Sequence, residues 1–140
     1  MEFTRRETLA IGAGAAVAAS LPIGAMAATP ADEAIAAFTG GAQMGEGGLT
    51  LTAPEIAENG NTVPIEVSAP GAEAIMVLAL GNPTPGVARF RFGPNAAAQA
   101  ASTRIRLAGT QDVLAVARMG DGSFVKASAT VKVTIGGCGG

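Results

Sequence analysis

Val63-Pro64-Ile65-Glu66-Val67-Ser68-Ala69-Pro70-Gly71-Ala72-Glu73-Ala74-Ile75-Met76-Val77-Leu78-Ala79-Leu80-Gly81-Asn82-Pro83 is the stretch that decides the fold class. Val63 to Val67 alternates apolar and polar side chains with period two, as a strand with one buried face does. Pro70-Gly71 breaks that run. Ala74 to Leu80 follows as a continuous apolar run, and Gly81-Asn82-Pro83 closes it. Short runs bounded by turn residues read as strands.

The same pattern extends in both directions. Leu49-Thr50-Leu51-Thr52 alternates, and Pro54 to Asn61 reads as a long turn. Val87 to Phe92, Ser102 to Leu107 and Val113 to Ala117 are each fenced by Gly, Pro, Asn or Asp, with an exposed loop expected over Ala96 to Ala101. Gly120-Asp121-Gly122-Ser123 is a hairpin turn, and Phe124 to Ile135 places Val131, Val133 and Ile135 on one face. Strands at this spacing predict an all-β, immunoglobulin-like antiparallel β-sandwich. Ahead of it, Thr29-Pro30-Ala31-Asp32-Glu33 carries an N-cap, a first-position Pro and first-turn carboxylates. Gly40-Gly41 ends the short N-terminal helix that these residues begin.

Ala74–Leu80 and Val113–Ala117 carry no polar residue on either face. A strand of a small antiparallel sandwich normally shows one face to water. The outer face is therefore expected to be covered by the N-terminal helix or by another chain, and if left bare it would be an interaction patch. A protein partner is expected, with Ala74–Leu80 contributing to its surface.

The first residues read as an export leader. Thr4-Arg5-Arg6-Glu7-Thr8-Leu9 precedes an Ala/Gly-rich apolar stretch that ends in Ala25-Met26-Ala27. Paired arginines, a weakly apolar core and a small-residue end describe a twin-arginine signal. Thr8 and Ala10 depart from the usual pattern, while Gly12, Gly14, Pro22 and Gly24 make a poor membrane span. The organisation expected is a signal peptide over 1–27, a β-sandwich over 28–135 and a flexible arm over 136–140, with a periplasmic location.

Composition removes much chemistry. Among 140 residues there is no His and one Cys. Zinc, haem and iron–sulfur ligation need His, or more Cys than one, or converging carboxylates. Triads with a His base are impossible. The eleven acidic residues are scattered, as with Glu55 and Glu58, Glu66 and Glu73, or Asp112 and Asp121, and read as solvated surface charge. A net charge of −2 argues against nucleic acid as a partner. No cofactor, no metal site and no membrane contact are expected.

The sole cysteine stands in Gly136-Gly137-Cys138-Gly139-Gly140. Five residues extend at most about 17 Å, and glycine makes such an arm thin and free to turn. A thin arm with one nucleophile can enter a narrow active site that a folded surface cannot. The thiol has no Lys or Arg nearer in sequence than Lys132, and an ordinary thiol has a pKa of about 8.5. Its activation must come from the site it enters. That is the logic of a carrier served by other enzymes, not of an enzyme. An intermolecular disulfide or an idle tail remains open on these residues alone.

The terminal Gly136–Gly140 pentapeptide, preceded by Val131-Lys132-Val133-Thr134-Ile135, resembles the SoxY family of the thiosulfate-oxidising Sox system. Pro54–Asn61 with Val63-Pro64-Ile65, Gly81-Asn82-Pro83, Ser102–Leu107 and Gly120–Phe124 resemble it as well. The resemblance implies a periplasmic sulfur carrier of immunoglobulin-like fold, without catalytic activity, paired with a SoxZ subunit in a SoxYZ complex. It implies Cys138 as the covalent attachment site and Gly136, Gly137, Gly139 and Gly140 as its access. The cytochrome SoxAX would couple thiosulfate to the thiol as an S-thiosulfonate. The hydrolase SoxB would release sulfate to leave a persulfide, and a sulfane dehydrogenase would oxidise the outer sulfur. The alternatives are a periplasmic β-sandwich binding module with an inert tail and a Gly-Gly thiocarboxylate carrier.

Overall fold

The computed structural model describes residues 28–137. The leader expected over 1–27 lies outside the described residues, as do Cys138, Gly139 and Gly140.

Helix α1 spans Pro30–Thr39. Its start is the capping box that the sequence announces. The Asp32 backbone N–H donates to Thr29 Oγ1 at 3.2 Å, and the Thr29 backbone N–H donates to the Asp32 carboxylate at 3.1 Å. The Thr29 hydroxyl also donates to that carboxylate at 2.7 Å. Hydrogen bonds from Thr29, side chain first, hold the Asp32 carboxyl below its usual value. Gly40, with φ 66°, ends the helix and returns its N–H to the Ala36 carbonyl. Thr29→Ala is expected to cost about 1 kcal/mol in urea denaturation. The contribution of Asp32 is present above the unfolded carboxylate pKa and is lost as pH falls through the depressed folded value. The difference between wild type and variant should therefore shrink in acid.

Among the described residues nine strands follow: β1 (Met44–Glu46), β2 (Thr50–Thr52), β3 (Ile56–Asn59), β4 (Val63–Ser68), β5 (Ala72–Ala79), β6 (Gly86–Arg91), β7 (Ala100–Ile105), β8 (Gln111–Met119) and β9 (Phe124–Ile135). One sheet runs β1-β9-β8-β5-β6 with β3 also on β9, and the other runs β2-β4-β7. The sandwich expected from the sequence is present. Its core joins Ile75, Val77, Val113 and Val131 of the first sheet to Val63, Ile65 and Val67 of the second. Burial of side chains of this size contributes roughly 1.5–3 kcal/mol each.

Two expectations are corrected. Pro54–Asn61 is not turn throughout, because Ile56–Asn59 forms β3, parallel to β9 with Ile56 opposite Lys132 and Asn59 opposite Ile135. β1 is likewise parallel to β9. In β3 Ala57 alone is buried, so the strand is held by backbone pairing and carries no alternating pattern to read. The exposed loop expected over Ala96 to Ala101 is shorter, since Ala100 and Ala101 open β7 opposite Ser68 and Val67.

Ala74, Met76, Leu78 and Val116 are buried on the face opposite the core, and α1 covers that face. Phe38 of α1 meets Phe124 edge-on at 5.9 Å, and the Arg89 and Arg118 guanidinium groups lie 5.4 and 5.8 Å from its ring centre. Met76 and Leu78 are therefore interior side chains, 3% and 0% exposed.

Candidate functional site: the exit of the C-terminal segment

β9 carries the chain out of the sandwich beside β3, and three backbone segments interlock there. The Gly60 N–H donates to the Ile135 carbonyl at 2.7 Å. The Leu107 N–H donates to the Gly60 carbonyl at 2.7 Å, and the Gly137 N–H donates to the Leu107 carbonyl at 2.8 Å. Gly60 and Gly137 are buried, whereas Ile135 is 66% exposed.

The glycines here serve contact rather than freedom. A methyl group at Gly60 would overlap the Leu107 carbonyl and crowd the Gly137 nitrogen and the Val133 side chain. One at Gly136 would overlap the Ala108 carbonyl. One at Gly137 would lie 3.1 Å from the carbonyl oxygens of both Gly60 and Leu107. Gly136 and Gly137 were expected as part of a flexible arm. The structure instead holds them against the Leu107–Ala108 backbone, because only a residue without Cβ allows main chains to approach this closely.

A buried polar pair shapes the loop that receives them. The Asn82 amide donates to the Arg106 carbonyl at 2.8 Å, and its Oδ1 accepts from the Ala108 N–H at 2.9 Å. Gln111 Nε2 donates to Asn82 Oδ1 at 2.9 Å and to the Gly109 carbonyl at 3.0 Å, while its Oε1 accepts from the Gly81 N–H at 2.8 Å. Both side chains are buried. Each is paired at both ends, so neither carries the penalty of an unsatisfied buried amide. Thr110 Oγ1 accepts from the Val133 N–H at 3.0 Å and ties the loop to β9.

Gly60, Asn82 and Gln111 were not singled out from sequence as site residues. Asn82 sits in Gly81-Asn82-Pro83, which reads as strand punctuation. Its partners come from another loop and another strand, so no local pattern marks it. The site offers neutral hydrogen-bonding groups, with two arginines close by in β7 and the loop after it: Arg104, whose Nη1 lies 3.4 Å from Thr62 Oγ1, and Arg106, whose carbonyl accepts from Asn82. Among the described residues no group of three or more His, Cys, Asp or Glu could hold a metal ion. No helix among them is long and apolar enough to cross a membrane.

A family model described as "Sulfur oxidation protein SoxY" matches residues 35–138. The chain is similar in structure to the sulfur carrier protein SoxY from Chlorobium limicola f thiosulfatophilum, with 38% identity and a TM-score of 0.66. That match covers 78% of this chain and 100% of the other. It is also similar to the superoxide reductase (neelaredoxin) from Ignicoccus hospitalis, at 18% identity and a TM-score of 0.55 over 62% of this chain and 80% of that one. A single-substitution variant of the same reductase gives 18% identity and a TM-score of 0.54 over 81% of this chain and 98% of that one. At such identity the reductases share the fold alone. The curated proteins give no match.

Proposed function

The chain belongs to the SoxY family of sulfur oxidation proteins, and from that premise we propose that it carries sulfur intermediates covalently on Cys138 during thiosulfate oxidation. The family role is that of a sulfur carrier in sulfur oxidation, and it implies a partner from the Sox system such as SoxZ. The observation that carries the finer reading is the extent of the family match. It runs to residue 138, one residue beyond the Gly137 N–H that the Leu107 carbonyl holds. The attachment residue thus follows directly on an anchored backbone.

The chemistry balances on a thiol alone. The Cys138 thiolate and thiosulfate form an S–S bond with loss of two electrons to a cytochrome of the SoxAX type, giving Cys138–S–S–SO3⁻. Water then attacks the terminal sulfur in a hydrolase of the SoxB type. Sulfate and two protons leave, and Cys138 retains a persulfide. A sulfane dehydrogenase would then take six electrons from the outer sulfur, three waters supplying its oxygens and six protons leaving, to give Cys138–S–SO3⁻, and the hydrolase would release a second sulfate and return the thiol. The chain supplies attachment and presentation, and the bond-making groups belong to its partners. Residues 1–27 fit this reading as a twin-arginine leader to the periplasm, ahead of a sandwich over 28–135.

The test is an intact mass of the protein from cells grown on thiosulfate, before and after a thiol reductant. Reducible sulfur or sulfonate additions that map to Cys138 are expected. A bare thiol under those conditions would favour a binding module, and an addition on a terminal carboxylate would favour a thiocarboxylate carrier.

A further inference from the structure

We propose that Asn59 is a site of spontaneous deamidation, with water as the co-reactant, and that the anchored C-terminal segment restrains the reaction. This chemistry belongs to the main chain at the exit and is independent of the carrier role of Cys138.

Four asparagines occur in the chain, at 59, 61, 82 and 95, and only Asn59 precedes a glycine. Deamidation uses the following main-chain nitrogen as nucleophile. That nitrogen attacks the side-chain Cγ, the new C–N bond closes a five-membered succinimide, and ammonia leaves with the proton that the nitrogen gives up. Water then opens the ring at either carbonyl, to aspartate or to isoaspartate. Glycine presents the least hindered nitrogen because it has no Cβ. Thr62 follows Asn61 and Ala96 follows Asn95, so a side chain crowds both of those nitrogens. Asn82 precedes Pro83, whose nitrogen has no hydrogen to give up.

The fold places this dipeptide where the segment after β9 is held. Asn59 ends β3 and is exposed, open to water. Gly60 is buried, and its N–H, the nucleophile, donates to the Ile135 carbonyl at 2.7 Å. The electrophile is held as well, since Asn59 Oδ1 accepts from the Asn61 N–H at 3.0 Å. Ring closure must turn the Asn59–Gly60 peptide about the Asn59 Cα–C bond, and that motion breaks the bond to Ile135. The Leu107 N–H, which donates to the Gly60 carbonyl, and the Gly137 nitrogen packed beside Gly60 resist the same motion. The reaction therefore proceeds through local opening of the interlock, at a rate set by the open fraction.

The product acts back on the anchor. Isoaspartate routes the main chain through Cβ and Cγ and inserts one extra carbon before Gly60, a displacement of about 1.5 Å. Hydrogen bonds of 2.7 Å on both sides of Gly60 do not survive a shift of that size. Modified chains lose the restraint on Gly137, and a transient opening becomes permanent.

The test incubates the full chain, folded, in mildly alkaline buffer and follows the mass gain of amide-to-acid conversion. Cleavage after Glu58 and Glu66 isolates residues 59–66, and fragmentation separates Asn59 from Asn61. Isoaspartate formed at Asp121-Gly122 leaves the mass unchanged and does not interfere. Exchange of the Gly60 amide, read by NMR, measures opening of the bond to Ile135 in the same sample. The gain at Asn59 is expected to be about tenfold or more slower in the folded chain than in strong urea. The methyl of Gly136→Ala meets the Ala108 backbone, and that of Gly137→Ala meets the Gly60 and Leu107 carbonyls. Both variants should raise Gly60 exchange and the gain at Asn59 in parallel, by about tenfold. Graded urea below the unfolding transition varies the opening of the unsubstituted chain, so the comparison stands without any variant. The purified isoaspartate form should show faster exchange at the Gly137 amide. A gain as fast in the folded chain as in strong urea, a gain that does not follow Gly60 exchange, or unchanged Gly137 exchange in the isoaspartate form would overturn the proposal.

Discussion

Cys138→Ser is expected to abolish the sulfur additions entirely and to reduce thiosulfate-dependent turnover by the reconstituted Sox enzymes to background. The reason is elementary. A serine hydroxyl forms no S–S bond and is no substitute nucleophile toward an oxidised sulfur, since the thiolate is the reacting species. With one cysteine in the chain, no second thiol can take over. Circular dichroism of the variant serves as the control for folding. A reducible addition that persists in Cys138→Ser, or turnover that survives it, would remove the covalent carrier role while leaving family membership intact.

Gly60→Ala is expected to have the largest effect on the fold of any single methyl added at the exit. The nearest obstacles are the Leu107 carbonyl, the Gly137 nitrogen and the Val133 side chain, and two of those three are backbone. Gly60 itself lies between β3 and β4 and bonds through both its N–H and its carbonyl, so it has little room to retreat. Overpacking of this kind costs about 1–3 kcal/mol, or about 10 °C in Tm at the upper end for a domain of this size. Gly136→Ala separates stability from anchoring. Its methyl also meets backbone, at Ala108, but Gly136 is exposed and can swing outward. Its Tm should change little while hydrogen exchange at the Gly137 amide accelerates. Equal, small Tm shifts in both variants with unchanged Gly137 exchange would show that the interlock does not anchor the segment.

The parts of this protein written in local sequence were legible. The alternation in Val63–Val67 marked β4, the fence of Gly81-Asn82-Pro83 marked the end of β5, and Thr29-Pro30 with Asp32 marked the capping box. β3 was not legible, since backbone pairing to β9 needs no apolar period. Neither was the role of Gly136 and Gly137. Glycine is required both where a chain must be free and where two main chains must touch, and the one-letter code is the same. The Ala74–Leu80 run was read as covered on both faces, which holds for Ala74 to Ala79, while Leu80 is 41% exposed. A run of apolar residues does not distinguish cover by α1 from cover by another chain.

Which elements form, and which chemistry is possible, follow from the residues alone. Periodicity and capping are local, and a chain without histidine and with a single cysteine offers no His-based triad and one thiol. Where that chemistry is presented follows from the packing of the sheets. Packing brings Gly60, Leu107 and Gly137 into one interlock, places Asn82 and Gln111 behind it, and sets Arg104 at its side. These residues come from separate strands and loops, and their contacts run through backbone atoms and buried amides. Such contacts leave no repeat along the chain, because they depend on how distant segments meet.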